Sequence, residues 1–174
     1  LLSQKITTID EVLYTHCHAD QTHGINDLRV FFLKKQKKIN VYCDKITSNY
    51  LTKNFSYCFI KKYDYPPILN IKLLKKKFKL GNPGKKINIK AIKVKHGLID
   101  SVAYIINNKI AYISDANEFY KKDYINFKKL EYLIIDCLRF TKHQSHFNLD
   151  DVLKITKSLK PKKTILTNLH SDLD

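Results

Sequence analysis

A short run near the start of the sequence carries side chains that bind metal ions. His16 and His18 are two residues apart, and Asp20 follows two residues later. Residues two apart in an extended chain project to the same side, so both imidazoles can face one cation. Asp20 lies beyond a turn and can offer its carboxylate to a second cation. Imidazole nitrogen and carboxylate oxygen suit Zn²⁺ best, and Mn²⁺ or Fe²⁺ less selectively.

The other histidines extend this pattern. A lone histidine is usually structural, but here seven fall into four short segments, three of which directly follow predicted strands. They are His16, His18, His23, His96, His143, His146 and His170. Ligand sites in α/β proteins favour strand ends, so the distribution indicates one functional site. Asp115 also follows a predicted strand, although such an aspartate is by itself typical of a turn or a helix cap.

The first half of the sequence predicts short strands and helices in alternation. The pattern gives a strand over 12–15, a helix over about 25–37, a strand over 41–43 and a helix over about 45–54. Residues 56–82 contain Pro66-Pro67 and clustered lysines. We expect an irregular excursion there.

The second half predicts mainly strands. They cover 87–96 with a bulge at Ala91-Ile92, 102–106 and 110–114 joined by a tight Asn107-Asn108 turn, 133–135 and 164–166. A helix begins after the capping residue Asn148 and ends near Leu159, before Pro161. The sequence therefore predicts the α/β class.

Length and composition narrow the classes of protein. The 174 residues, 44% of them apolar, suffice for a single domain over 1–174. No apolar run approaches the ~20 residues that span a membrane. Four cysteines without a Cys-x-x-Cys pair predict reduced thiols and a cytoplasmic protein. Because methionine is absent and the sequence stops within a predicted functional loop, we expect a piece truncated at both ends.

The net charge of +16 leaves two interpretations open. A basic surface attracts nucleic acid. Only Arg29 and Arg139 are arginines, however, and arginine is the usual residue for bidentate phosphate contacts. A lysine-biased composition therefore explains the charge at least as well, and a small anionic substrate would profit from the same field.

The run Thr15–Arg29, T-H-C-H-A-D-Q-T-H-G-I-N-D-L-R, resembles the signature of metallo-β-lactamase-fold hydrolases, in particular the branch of the PhnP phosphodiesterase. Four later segments fit that branch in order and spacing: 95–97, 112–115, 143–149 and 166–174. The resemblance implies an αββα sandwich of two sheets, with the N-terminal strands of the first sheet missing from this chain.

The resemblance also implies two divalent metal ions, Zn²⁺ or alternatively Mn²⁺. One metal would be held by His16, His18 and His96, and the other by Asp20 and His170, with Asp115 as the bridge. Such a pair can acidify a shared water and clamp a phosphoryl group.

Catalytic roles fall to His146 and Asp20. His146 resembles the non-ligand histidine of the branch, which can protonate the leaving alkoxide; its alternative is a structural neighbour of the Asn148 cap. His143 is a surface or supporting residue. Asp136 and Arg139 either orient ligands or bind phosphate, or they form a structural ion pair.

Gln21 departs from the family pattern, which has histidine there as a ligand of the second metal. Gln21 is a doubtful ligand, and three outcomes are open. It coordinates the second metal through its carbonyl oxygen, or the second metal is held loosely, or His23 takes the place of the missing histidine ligand. We expect the Asp20/His170 site to be the weaker one.

The function predicted first is phosphodiester hydrolysis by a metal-bound hydroxide, on small or cyclic phosphate esters. The alternatives are a ribonuclease Z-like tRNA 3′-end endonuclease and a degenerate, non-catalytic member of the fold. We expect a small anionic phosphate ester as partner and no membrane. Nucleic acid is the second choice, and a homodimer stays open.

Overall fold

The computed structural model describes residues 5–62 and 64–173. The chain divides into two compact units, Leu1–Leu74 and Lys75–Asp174. Each unit has its own sheet and its own buried core, so the predicted α/β class is confirmed. None of the described helices is both long and apolar enough to cross a membrane.

The first unit is built on a parallel three-stranded sheet in the order β1-β2-β3. Its strands are β1 (Glu11–Leu13), β2 (Ile39–Cys43) and β3 (Leu69–Leu73), and its helices are α1 (Ala19–Thr22), α2 (Leu28–Lys35) and α3 (Lys45–Asn54). Alternate residues of the central strand, Ile39, Val41 and Cys43, are buried. Asp44 caps α3 by accepting a hydrogen bond from the Thr47 amide at 2.8 Å.

Two expectations for this unit require correction. The helix predicted over 25–37 is a 3₁₀ helix over His23–Asp27 followed by α2, because Asn26 and Asp27 favour turns over a continuous helix. The excursion predicted over 56–82 is wrong, since it contains β3 and the next strand, β4 (Lys77–Leu80). Both alternate apolar residues with polar ones. β3 pairs with β2, about 30 residues earlier, whereas β4 pairs with the strand that directly follows it.

The second unit contains a seven-stranded sheet. Its further strands are β5 (Ile87–His96), β6 (Ile99–Ile106), β7 (Ile110–Ile113), β8 (Glu118–Phe119), β9 (Tyr132–Asp136) and β10 (Lys163–Thr167). The order is β10-β9-β7-β6-β5-β4, with β8 paired to β5. A 3₁₀ helix spans Lys121–Phe127, and α4 (Leu149–Leu159) begins after Asn148, whose side chain accepts from the Asp151 amide at 3.0 Å.

The predicted turn at Asn107-Asn108 is confirmed, since both residues have positive φ angles of 51° and 55° in the β6–β7 hairpin. The predicted bulge at Ala91-Ile92 is wrong, because β5 pairs with β6 in unbroken register from Ile89 to His96. Ile89 is buried on one face of β5, and Ile92 and Val94 on the other. The shift in the apolar pattern therefore arises because one face of the strand is buried near its start and the opposite face further along, while the strand itself is continuous.

The strands β7, β9 and β10 are parallel, so their carboxyl ends lie at the same edge of the sheet. Asp115 follows β7, Asp136 ends β9 and Asn168 follows β10. Since β5 runs in the same direction as β7, His96 at its end lies at the same edge. Four strands thus deliver polar residues to one edge of the sheet.

Candidate metal centre

The histidine run of the first unit lies just after β1. His16 is buried, with 2% of its surface exposed, whereas His18 is exposed. Their rings are in edge-to-face contact with centroids 4.5 Å apart. The Thr15 hydroxyl lies 3.0 Å from His16 Nδ1, and the His18 carbonyl accepts from the Thr22 hydroxyl at 2.9 Å. The two imidazoles are neighbours, as their spacing predicts.

Asp20 lies in the first turn of α1 and accepts a hydrogen bond from Gln21 Nε2 at 2.9 Å. Burial acts to raise the pKa of the Asp20 carboxyl. The hydrogen bonds from Gln21 and the backbone, with the charges of His16 and His18, outweigh that effect, so this pKa lies below its usual value. His23 instead lies 3.2 Å from the Tyr50 hydroxyl and packs edge-to-face on Phe55.

In the second unit, His96 is the best-anchored histidine. It is 4% exposed, and its Nδ1 donates to the Ser145 carbonyl at 2.7 Å. A carbonyl can only accept, so Nδ1 carries a proton, and in the neutral ring Nε2 then has the lone pair that a metal ligand needs. Gly97 permits this approach: its φ is +61°, and a Cβ there would lie 3.0 Å from Ser145 Cβ.

Asp115 is 3% exposed and lies directly after β7. Its Oδ1 accepts from Asn168 Nδ2 at 3.1 Å, and the same amide donates to the Ser114 carbonyl at 2.7 Å. Oδ2 is buried and makes no hydrogen bond with any residue that the structure describes. A buried carboxylate oxygen without a partner is costly, and a cation is the partner that such an atom accepts.

His146 is fixed by the buried Asp136, whose Oδ2 lies 2.7 Å from His146 Nδ1. The same nitrogen is 3.8 Å from Asp115 Oδ1, and the ring centroid is 4.7 Å from that of His96. Burial raises the pKa of Asp136 to about 6, against the opposing hydrogen bonds from His146 and the Ala116 amide. His146 therefore lies next to both His96 and Asp115, in addition to preceding the Asn148 cap.

Three other predicted residues make contacts of their own. Arg139 donates to the Lys142 carbonyl at 3.0 Å. The Asp136 carboxylate is paired with His146, so the ion pair that is one of the two interpretations of Asp136 and Arg139 is not formed within the described part of the chain. His143 Nδ1 accepts from the Ser145 amide at 3.3 Å, which makes it a supporting residue. His170 is half-exposed, and its Nδ1 lies 3.1 Å from Asp172 Oδ1.

His96, Asp115 and His146 offer ligand atoms that all lie within 4.8 Å of one another. The set combines imidazole nitrogens with a buried carboxylate that has an unbonded oxygen. Zn²⁺ and Mn²⁺ accept this combination. The residues present therefore fit a divalent metal.

A family model described as a beta-lactamase superfamily domain matches residues 2–168. The chain belongs to this superfamily. Among solved structures, it resembles a diphosphatase from the PhnP family with a TM-score of 0.84 and 24% identity, over 97% of this chain and 63% of that one. It also resembles human tRNase Z, short form, with a TM-score of 0.68 and 14% identity, over 95% of this chain and 74% of that one.

Among curated proteins, an octanoyltransferase of Porphyromonas gingivalis is 24% identical over 165 residues. That match spans 94% of this chain but only 33% of the transferase, and the chain also spans less than two thirds of the PhnP-family diphosphatase. Likeness at this level of identity shows the fold. The predicted metallo-β-lactamase fold and the resemblance to the PhnP branch are confirmed.

The sequence did not indicate two groups that orient these side chains: the Asn168 amide, which donates to Asp115, and the Ser145 carbonyl, which accepts from His96. Asn168 follows the last predicted strand and has a φ of +60°, so its place at a strand end was the available signal. The Ser145 carbonyl, which orients His96, left no signal because a backbone atom has no residue type.

Proposed function

We propose that this superfamily member is a metal-dependent phosphodiesterase acting on small or cyclic phosphate esters. The observation that carries the proposal is the buried group of His96, Asp115 and His146, with its unbonded Asp115 oxygen. Asp115 is the bridging ligand in this proposal. Its place directly after β7 gives it the rigid mount that a bridge requires.

The rest of the ligand set is also part of the proposal. His16, His18 and His96 would hold one metal, and Asp20 and His170 would hold the other, as the resemblance implies. When bound, divalent metals supply Lewis acidity to a phosphoryl oxygen and lower the pKa of a water molecule. In this proposal Gln21, whose amide donates to the Asp20 carboxylate, orients a ligand.

His146 has the geometry of a general acid. Its Nδ1 is directed at Asp136, which leaves Nε2 to carry the proton that is transferred to the leaving alkoxide oxygen. Asp136 holds the ring in this orientation and stabilises the positive charge of the protonated form. Of the two uses that the geometry allows for His146, ligand or acid, the proposal takes the acid.

Turnover of bis(p-nitrophenyl) phosphate with added Mn²⁺ or Zn²⁺ tests the activity. We expect His146→Ala to lower turnover by about 10²–10⁴-fold, the range of general acid catalysis, while metal content is unchanged. His23→Ala is the matched control, because His23 contacts Tyr50 and Phe55. If His146→Ala loses metal instead, its role is that of a ligand.

A tRNA 3′-end endonuclease is the second candidate, favoured by the charge of +16 and the fold shared with human tRNase Z. Salt separates the two. Recognition of RNA through several phosphates weakens steeply as salt rises, whereas hydrolysis of a small ester responds mildly. Cleavage of a tRNA precursor at a rate well above that of the small ester would favour this candidate.

A further inference from the structure

Positive charge is concentrated in one segment of the chain. Residues 65–99 contain ten lysines and no acidic residue. Nine of these lysines belong to the second unit. Lys75 and Lys76 directly precede β4, and the other seven lie on β4, on β5 and in the turn between them. A compositional preference for lysine over arginine explains which basic residue is used. It does not explain why acidic residues are absent here and frequent elsewhere.

Most of these lysines are not neutralised by the protein. Lys93 and Lys95 form ion pairs with Asp100 and Glu118, each at 2.9 Å. Six others in the second unit are exposed and have no ion pair within the described part of the chain: Lys75, Lys76, Lys77, Lys79, Lys85 and Lys86. We define these six residues as the lysine face.

The register of the hairpin brings like charges together. Lys77 on β4 lies directly opposite Lys90 on β5, and Lys79 lies opposite Asn88. Like charges in facing positions destabilise a sheet. Lysine on an edge strand does prevent pairing between sheets, and this accounts for Lys77 and Lys79. It does not account for Lys85 and Lys86 in the turn or for Lys90 on an interior strand.

A cleft of about 430 Å³ lies on this hairpin. Lys77, Lys79 and Lys90 line it, with the amide side chains of Asn88 and Asn108 and apolar surface from Phe78. Ammonium groups and amide donors around an apolar floor can contact phosphate oxygens and the adjacent sugar or base.

We propose that the lysine face binds the phosphate backbone of single-stranded nucleic acid, independently of base sequence. Lysine ammonium groups act as point charges toward phosphate, and this face has no arginine fork that could read a guanine edge. The cleft admits nucleotides whose bases are unstacked. This function goes beyond the proposed hydrolase and needs no metal.

The test is fluorescence anisotropy of a labelled 20-nucleotide single strand with the full chain in EDTA. If about five phosphates are contacted, the affinity falls about a hundredfold between 50 and 200 mM salt, since each contact on a single strand contributes about −0.7 to the log–log slope. EDTA removes the divalent metal that the proposed hydrolase requires, so binding measured in EDTA is independent of whether the proposed hydrolase activity exists.

The decisive variant exchanges five lysines for glutamine: Lys75→Gln, Lys77→Gln, Lys79→Gln, Lys85→Gln and Lys86→Gln. We expect it to abolish the salt-dependent binding. The matched control removes the same charge from exposed positions elsewhere in the second unit: Lys121→Gln, Lys122→Gln, Lys128→Gln, Lys154→Gln and Lys157→Gln. It is expected to bind within about threefold of the parent, because screening limits the reach of distant charges.

The same five positions changed to arginine keep the charge, so that variant must bind and serves as the control for folding. Equal losses in both glutamine variants would overturn the proposal, since net charge would then suffice. Unchanged binding in the first variant, or binding to phosphatidylserine vesicles without binding to the oligonucleotide, would also overturn it.

Discussion

The two histidine-bearing regions are stabilised in opposite ways. His16, His18 and Asp20 lie within five consecutive residues, and the hydrogen bonds Thr15–His16, Gln21–Asp20 and Thr22–His18 span one to four residues. His96, Asp115 and His146 come from three separate segments. Their partners Ser145, Asn168 and Asp136 lie 49, 53 and 10 residues away.

The comparison shows that residues which are easy to recognise in the sequence are not necessarily the ones whose positions the fold determines most firmly. A contiguous motif can be recognised in sequence, and its members His18 and Asp20 are exposed. The second region has no contiguous motif, yet buried long-range contacts fix each of its side chains. We therefore expect substitutions in the second region to have the larger effects.

Asp115→Asn is expected to have the largest effect. It removes the anionic ligand at nearly constant volume, so metal and turnover should be lost together. In the chelated protein the same change replaces a buried carboxylate oxygen without a partner by a buried NH2 group that also has none, so the free energy of unfolding should change little. Elemental analysis, turnover and thermal melting measure these effects.

Asp123→Asn is the control for Asp115→Asn, because it is a partly exposed aspartate of the same unit. Retention of metal by Asp115→Asn at the level of this control would show that the second region is not the metal centre.

Asn168→Gly should weaken metal binding by about 10–100-fold, as expected for a residue that orients a ligand. Glycine keeps the positive φ of 60° and removes the amide that donates to Asp115 and Ser114. Asn108→Gly, also at positive φ, is the control. Metal titration of both variants checks the result, and equal affinities would mean that Asp115 needs no such support.

The sequence identified most elements and most candidate residues, and the physical reasons for the failures are specific. The Asn148 cap and the Asn107-Asn108 turn are local signals, and both are confirmed. β3 was missed because it pairs with β2, about 30 residues earlier, and β4 was missed because its two lysines and its length of four residues give a weak strand signal. The Asp136–His146 pair was also missed, because sequence order placed Arg139 closer to Asp136.

Gly97→Ala and Gly24→Ala test whether the two regions differ in how well their backbones tolerate a side chain. Alanine at a φ of +61° costs about 1–2 kcal/mol, and its Cβ would press on Ser145. Gly24→Ala in the first region meets nothing within 4 Å, so its effect on stability should be within about 0.5 kcal/mol. Thermal melting of both variants tests the contrast, and a Gly24→Ala loss as large as that of Gly97→Ala would contradict it.

Gln21→His should have the smallest effect on turnover and a specific effect on metal retention. It supplies the imidazole that the family pattern has at this position, while removing the amide that donates to Asp20. We expect the more weakly held metal to be retained better after dialysis. Unchanged retention would indicate that the Asp20/His170 site is not limited by Gln21.

The central claim is that this beta-lactamase superfamily chain is a metal-dependent phosphodiesterase. Metal content and turnover of bis(p-nitrophenyl) phosphate, measured on one preparation before and after chelation, test it most directly. The account predicts bound divalent metal, turnover that disappears on chelation and turnover that returns when Zn²⁺ or Mn²⁺ is added. A folded protein that binds no metal and shows no turnover would contradict it.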